Sequence, residues 1–595
     1  MFRPSCGGVD SGLRGNDGWG GLHTGYMRLF ALFVICCVLV VTLTAAACHG
    51  GDESTAAPGS RSEAVEVPGE ETPQYGGVLT LANRGDPPAA FDTMRTSSIA
   101  LHHVGGALFG AGNLVRRCRE NMYLACPDLA SSWLANPGFT EWEFTIRPDV
   151  TWHDGEPFTA EDAKFWFDLA ANGWESDGVP VRAPAYFRGE LGEIESVEVL
   201  EFNRLRITLA EPNPHYLSVL ANPRLRIAHP KHVFEPLFKD GEYSAGPLDV
   251  EVVGTGPFRL ETYEPGSLIR VVRNDDYWER GAGGDLPYLD GIDYVIMPNA
   301  TAMDAAFRTG RIDGGARGEG HYLTQERKAA IDEQLGPDEV FYGEMQGGMF
   351  RLGFNVLREG PWQDPDVRQA ISLWIDREAA IPTVLGGFGY ISPTFSPANP
   401  FTSADFTTWQ RFNRGALDDR RDEALALMES AGHGDGFEMD YLCRARLSAR
   451  CEFLHNQLAG LGIDLQIQLV DEAEWNRGRV SLDYDSQPGS NFTSPIPEGT
   501  EAAYGVYSRF PDAYAKHEDS HVTLLYEDLR AARTHRQRVA AWRELESYVV
   551  REQTYVVPIA GSVQVVPYRT YVKGLVIPPE DGHTHTDFAT VWLTA

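Results

Sequence analysis

One stretch of the chain carries a complete chemical constellation in its spacing: His517-Glu518-Asp519-Ser520-His521. On a helix, two histidines one turn apart bind zinc and the glutamate between them activates a water, the core of a metallohydrolase. The surroundings do not suit it, because the pentapeptide follows Pro511 and a polar stretch. His153 and Asp154 stand in a Trp-His-Asp-Gly turn, where the expected role is to satisfy backbone groups rather than acid–base or metal work. Gly254 and Gly256 are not a phosphate loop, since no Gly-Lys-Ser/Thr follows and the helix is missing; they permit a tight turn ahead of a strand. His583 and His585 read as surface residues. These motifs lead to an expectation of no catalytic residue, no metal and no cofactor, with a zinc hydrolase as the alternative from another class.

The elements that must position any binding groups are interleaved strands and helices. A Tyr-Gly-Gly turn at residues 75–77 precedes an apolar, β-branched run to 81, and a loop at 83–92 follows it. Residues 142–147 alternate as a strand; Thr159 then precedes Glu161 and Asp162 and an apolar face of Ala163, Phe165, Trp166, Phe167 and Leu169, the signature of a capped helix. Further strands are expected at 194–200, 204–209, 258–263, 268–273, 292–297, 463–469, 555–559 and 563–566. Helical periodicity marks 302–309, 367–375, 418–431, 450–460, 522–532 and 535–550. This pattern predicts an α/β, mixed α+β architecture.

At 595 residues the chain exceeds a single core, so two or more lobes follow, and a content of 43% hydrophobic and 23% charged residues is that of a soluble globular protein. The formal charge of −33 excludes nucleic acid as a partner, because phosphate binding needs a basic footprint. From Met27, a single Arg28 precedes an apolar run and small residues ending at Cys48, the anatomy of a secretion signal. It resembles a bacterial lipoprotein signal, in which that cysteine is acylated and opens the mature chain; a plain signal peptide or an uncleaved anchor is the alternative. Residues 1–47 are therefore read as signal region, with translation expected to begin at Met27, and residues 48–74, nearly devoid of large apolar side chains, as a disordered tether. Four cysteines remain in the body, and their short spacings favour Cys118 with Cys126 and Cys443 with Cys451 as local staples over free thiols or a metal site.

An ordered series of short motifs spans the body: Pro127-Asp-Leu-Ala-Ser-Ser-Trp133, Phe144-Thr-Ile-Arg-Pro-Asp-Val150, Trp152-His-Asp-Gly-Glu-Pro-Phe-Thr-Ala-Glu-Asp-Ala163, Gly254-Thr-Gly-Pro-Phe258, Arg273-Asn-Asp-Asp-Tyr-Trp278, Gly310-Arg-Ile-Asp313, Asp366-Val-Arg-Gln-Ala370 with Asp376-Arg377, Leu461-Gly-Ile463 and Val572-Lys-Gly574. Together with Tyr75-Gly-Gly they resemble family 5 of the bacterial extracellular solute-binding proteins, the oligopeptide, dipeptide and nickel binders of ABC importers. Asp366 and Arg368 read as a cap and a pairing group at a helix start, and Arg377 as a core brace.

The resemblance implies a two-lobed periplasmic-binding-protein type II fold with an extra subdomain inserted in lobe I. Lobe I would hold residues 75–345 with the insertion near 110–250, lobe II residues 346–555, and residues 556–595 would return to lobe I. Ligand contacts are implied at Arg84, Asp86 and Phe91 after the first strand, at Gln346, Met349 and Phe350 in the crossover, and at Asn491 and Phe492 in a lobe II loop. His517 to His521 would fall in the loop entering the helix at 522–532. Peptide-binding members carry an aspartate in that lobe II loop for the ligand's ammonium group, and Ser490-Asn-Phe-Thr-Ser-Pro-Ile-Pro-Glu498 lacks it; Asp483, Asp485 and Glu498 stand nearby but out of register. A peptide-like solute thus leads, with a sugar, an amine or a metal chelate of the same fold open. The partners implied are an ABC permease with its ATPase subunits and, through the lipid anchor, the membrane's extracytoplasmic face, with the chain acting as a monomer; a receptor or chaperone-like lipoprotein uncoupled from transport is a third reading.

Overall fold

The computed structural model describes residues 72–594 except 97, 177–178, 186, 190, 239–241, 316–321, 398, 404, 410–411, 490–514 and 580–586. Cys48 and most of the tether lie outside the described residues. Strand β1 (Val78–Asn83) is followed by helix α1 (Ile99–Leu108). The chain then builds a separate antiparallel sheet from β2 (Ala130–Ala135), β3 (Glu141–Ile146), β4 (Ile194–Leu200) and β5 (Arg204–Leu209), in the order β2-β3-β5-β4. Alternation along β3 turns Trp142, Phe144 and Ile146 inward, onto Phe165, Trp166 and Phe167 of helix α2 (Ala160–Ala170). A capping box starts α2: the Thr159 N–H donates to Asp162 Oδ2 at 2.9 Å. This is the inserted subdomain, with its own core.

Strands β6 (Phe258–Glu264), β7 (Leu268–Arg273) and β8 (Gly291–Ile296) return to β1 to give the order β1-β8-β7-β6. Their core unites Leu79, Leu81, Val271 and Ile292 with Leu101, Val104 and Leu108 of α1. Strand β9 (Val340–Phe354) then leads to the second lobe: α3 (Pro365–Trp374), β10 (Gly389–Tyr390), β11 (Phe437–Arg444), α4 (Ser448–Ala459), β12 (Ile463–Val470), β13 (Ser486–Gly489), α5 (Ser520–Ala531), α6 (His535–Glu546) and β14 (Val556–Arg569). The sheet order is β10-β14-β9-β13-β11-β12; β11 and β12 are parallel because helix α4 crosses between them.

Strands β9 and β14 tie the lobes together. They pair antiparallel from Val340 with Arg569 to Gly353 with Val556. Met345, Val566 and Tyr568 belong to the first-lobe core, whereas Phe350, Leu352, Val557 and Ile559 belong to the second. The register breaks between Gln346 and Met349, where the cores exchange. Two expectations are corrected here. The separate strands at 555–559 and 563–566 are one strand, continuous because pairing with β9 carries the backbone through Gly561 and Ser562. The cap of α3 is Asp364, whose carboxylate accepts the Asp366 N–H at 2.8 Å, and not Asp366 itself.

Arg368 and Arg377 are buried and donate to carbonyls, Arg368 to those of Trp362, Gln363 and Gln553 and Arg377 to those of Ser372, Phe412 and Pro558. They stitch loops to the second core; Arg377 has no ion pair among the described residues, and burial, with the nearby Arg420 charge, holds its guanidinium well below its usual range, at about 9. Cys118 is bonded to Cys126 across a short hairpin, and Cys443 at the end of β11 to Cys451 in α4. Among the described residues no helix is long and apolar enough to cross a membrane.

Candidate functional site

The loop leaving β1 is held at several points. Buried Asn83 donates from Nδ2 to the carbonyls of Gly85 and Ala100. Asp86 accepts from the Tyr263 hydroxyl at 3.1 Å and from the Gly266 N–H at 3.0 Å, so its carboxylate braces the β6–β7 turn. Ala89, Ala90 and Phe91 all adopt left-handed backbone, with φ of 54°, 53° and 64°, which non-glycine residues rarely do without surrounding constraint. The constraint comes next in sequence. Asp92, fully buried, accepts the Tyr243 hydroxyl at 2.8 Å and the Met94 N–H at 2.8 Å and lies 3.3 Å from His229 Nε2. Phe91 is sealed in the first-lobe core, edge-on to Tyr263. Arg84, half-exposed between these anchors, makes no hydrogen bond or ion pair among the described residues.

The crossover is the second segment. Leu81 bridges Gly314, which bridges Tyr568, so β1 runs antiparallel to β14 and carries Arg84 toward the crossover level of the sheet. Gln346 is half-buried there, and its N–H donates to the Pro579 carbonyl at 2.8 Å. Met349 and Phe350 are both buried; Phe350 packs on Phe453 in the second-lobe core and offers no free face for stacking. A pocket of 280 Å³ opens beside Pro579, between it and the Cys118–Cys126 hairpin, with Arg119, Met122, Tyr123 and Ile577 among its lining. That volume is near the lower bound for small-ligand sites.

Asn491, Phe492 and Glu498 lie outside the described residues. The two aspartates ahead of that loop are engaged in structure. Asp485 accepts the Asp440 N–H at 2.8 Å and pairs with Arg358 at 3.2 Å, and Asp483 reaches the same guanidinium at 3.7 Å. Burial pushes the Asp485 carboxyl up despite these contacts.

Sequence reading missed the residues that shape the crossover. Tyr390 of β10 donates its hydroxyl to the Gly347 carbonyl at 2.5 Å, and a Cβ placed on Gly561 would lie 2.1 Å from the Tyr390 ring. The available signal was the Gly347-Gly348 pair inside an otherwise apolar run, which marks a bulge.

The motifs with apparent chemistry resolve into structure. Helix α5 begins at Ser520 with Asp519 as its cap, so His517 lies outside the helix and the two imidazoles are not one helical turn apart. His517 stacks on Tyr555 with centroids 4.4 Å apart, and Asp519 accepts the hydroxyls of Tyr548 and Tyr555. His153 accepts the Gly254 N–H at Nδ1 and donates from Nε2 to the Gly256 carbonyl, each at 3.1 Å; burial pushes its imidazole down to about 4, so it is neutral. Gly254 and Gly256 pass so close to the end of α1 that a Cβ would lie 2.1 and 2.5 Å from the carbonyls of Leu108 and Ala107.

Two α/β lobes joined by paired crossover strands, with an insertion in the first, define a solute-binding protein of the periplasmic type. Residues 125–510 match the family described as bacterial extracellular solute-binding proteins, family 5, and the chain belongs to that family. It is 26% identical over 494 residues to the dipeptide-binding protein of Escherichia coli strain K12, covering 77% of this chain and 84% of that one. Among solved structures it is similar to the periplasmic binding protein AgaA of A. tumefaciens R10 in complex with agropinic acid, with a TM-score of 0.68 and 23% identity over 87% of this chain and 99% of that one. It is likewise similar to DppA from Helicobacter pylori in complex with the peptide STSA, with a TM-score of 0.66 and 21% identity over 88% and 99% of the two chains.

Proposed function

We propose that the chain is the lipid-anchored capture component of an ABC importer, and that it closes its lobes over a peptide or peptide-like acid. Arg84 carries the ligand assignment. A guanidinium just beyond β1, on a loop anchored at Asn83 and Asp86 and with no ion pair among the described residues, suits bidentate binding of a carboxylate. A carboxylate is common to dipeptides and to the acid in the AgaA complex. Gln346 and the loop of Asn491 and Phe492 would complete the site when the lobes close, with lobe angle and ligand affinity forming one linked equilibrium. Cys48 supplies the acyl anchor, and release follows docking on a permease.

The test is native mass spectrometry of protein purified without denaturation, followed by a thermal-shift screen of peptides, sugars and chelated metals. Stabilisation by peptides, weakened about tenfold or more in affinity by Arg84→Ala, is the expected result. Stabilisation by a sugar and by no peptide would overturn the ligand assignment. The anchor is tested separately: Cys48→Ser is expected to move the protein from the membrane fraction to the soluble one.

A further inference from the structure

The inserted subdomain and the second lobe have separate cores, the former including Leu209 and Tyr216 and the latter Leu525, Leu529 and Trp542. Away from the crossover strands they nevertheless touch. His215 Nε2 lies 2.6 Å from the carbonyl oxygen of Ala532, a residue 317 positions later in sequence. Beside it, Arg530 donates to Glu211 Oε2 at 2.5 Å.

Each half of this contact is prepared by its own lobe. Ala532 is the C-cap of α5, where helical carbonyls lack an internal partner and carry the negative end of the helix dipole, so its oxygen seeks a donor. The corner beyond it is fixed by the capping box of α6: the Thr534 N–H donates to Gln537 Oε1 and the Gln537 N–H to Thr534 Oγ1. On the other side, the His215 N–H donates to Asn213 Oδ1 at 2.9 Å, which sets the loop leaving β5. Burial, helped by Arg538 and His535, pushes the His215 imidazole down to about 3. The ring is therefore neutral at physiological pH and uses its one N–H on the Ala532 carbonyl. The Glu211–Arg530 pair is half or more exposed on both sides, so it is weak and salt-sensitive and the histidine bond is the main element.

We propose that His215 with Ala532, and Glu211 with Arg530, form a latch that holds the inserted subdomain on the second lobe and sets the balance between closed and open protein. The proposal rests on the reading of this chain as a lobe-closing binder. Favouring the closed form slows ligand release and tightens binding, because the latch is made only when the lobes meet.

The experiment measures closure without ligand. Spin labels at Glu201→Cys in the insertion and Glu527→Cys on α5, both exposed positions, report the distance between the two bodies. Wild type is expected to show mainly the short distance. His215→Ala should shift the closed-to-open ratio about tenfold, the scale of one hydrogen bond. Arg530→Glu should shift it less, and more at low salt than at high. His215→Gln, which keeps an N–H donor, and the double exchange Glu211→Arg with Arg530→Glu should each restore the short distance. Thermal unfolding confirms that each variant is folded. Identical distance distributions in wild type and all variants would overturn the latch. If the variants open but no peptide, sugar or chelate binds wild type, the latch stands and the ligand-capture reading fails.

Discussion

The Tyr390 hydroxyl donates to the Gly347 carbonyl on one crossover strand while its ring lies against Gly561 on the other, so a single side chain spans both connections at the point where their register breaks. Gly347 is matched to its surroundings in the same way: a Cβ there would come within 2.5 Å of Ser562 Oγ. A side chain at either glycine would have to displace a neighbouring side chain, and Tyr390 fills the space they leave.

This predicts an ordering of variants. Tyr390→Phe removes one hydrogen bond and should lower stability by about 1 kcal/mol. Gly561→Ala drives a methyl group into the ring and should cost roughly 1–3 kcal/mol, with the tyrosine displaced and the lobe angle altered. Urea unfolding together with solution scattering would read both. A Gly561→Ala protein with wild-type stability and scattering would show that the ring is not seated on that glycine.

The Asp92 carboxylate is the fixed point of the strained loop. Burial raises its pKa, but the charge and hydrogen bond of His229, the Tyr243 hydroxyl and the Met94 N–H outweigh this and hold it below the usual aspartate value. A depressed acid contributes stability that is present above the unfolded pKa of about 3.9 and is lost as pH falls through the folded value. Asp92→Asn should therefore destabilise by about 3 kcal/mol at neutral pH, the low end for a broken buried pair, with the difference from wild type shrinking in acid. The same substitution should weaken ligand binding, because Arg84 is carried by this loop. Equal urea midpoints for the two proteins at pH 7 would contradict the assignment.

Each disulfide closes a sequence separation of 8 residues, for which loop entropy gives roughly 2–3 kcal/mol. The two should not respond alike. Cys118 is half-exposed on a hairpin, whereas Cys443 and Cys451 are both fully buried in the second-lobe core. Mild reductant is expected to open the hairpin first, and alanine replacement of Cys443 and Cys451 to cost more than replacement of Cys118 and Cys126, since it also removes core packing. Thermal unfolding of the two double variants decides this, and the reverse order would refute it.

Local features were readable from sequence and non-local ones were not. The Thr159 capping box and the alternation of 463–469 are written within a few residues, and the structure has a helix and a strand there. Strand β9 was not readable, because Gly347 and Gly348 interrupt its pattern and its partner lies more than two hundred residues away. Helix 325–335, reading Gln-Glu-Arg-Lys-Ala-Ala-Ile-Asp-Glu-Gln-Leu, buries only Ile331, so no apolar stripe announces it. At the site, the resemblance implies Arg84 and Asp86 alike as cleft residues of one loop, yet Asp86 is consumed by the β6–β7 turn and Arg84 makes no ion pair among the described residues. Only the fold of a distant hairpin separates the two.

Glu546, at the end of α6, gives the clearest pH signature. It is fully buried, and burial pushes its carboxyl up to about 7 although the Ser403 hydroxyl, at 2.8 Å, and N–H donate to it. For an acid whose folded pKa is raised, the folded state holds more protons than the unfolded state between about pH 4.3 and the folded value, so stability falls as pH rises through that window. The loss is on the order of 3 kcal/mol and is complete above pH 7. Glu546→Gln keeps an oxygen to accept from Ser403 but cannot ionise. It should therefore flatten the profile between about pH 4.5 and 7 and leave the variant more stable than wild type at pH 8, by about 1–3 kcal/mol. Urea unfolding at closely spaced pH values measures this directly. Parallel profiles for the two proteins would mean that Glu546 is ionised in the folded state throughout, against its burial.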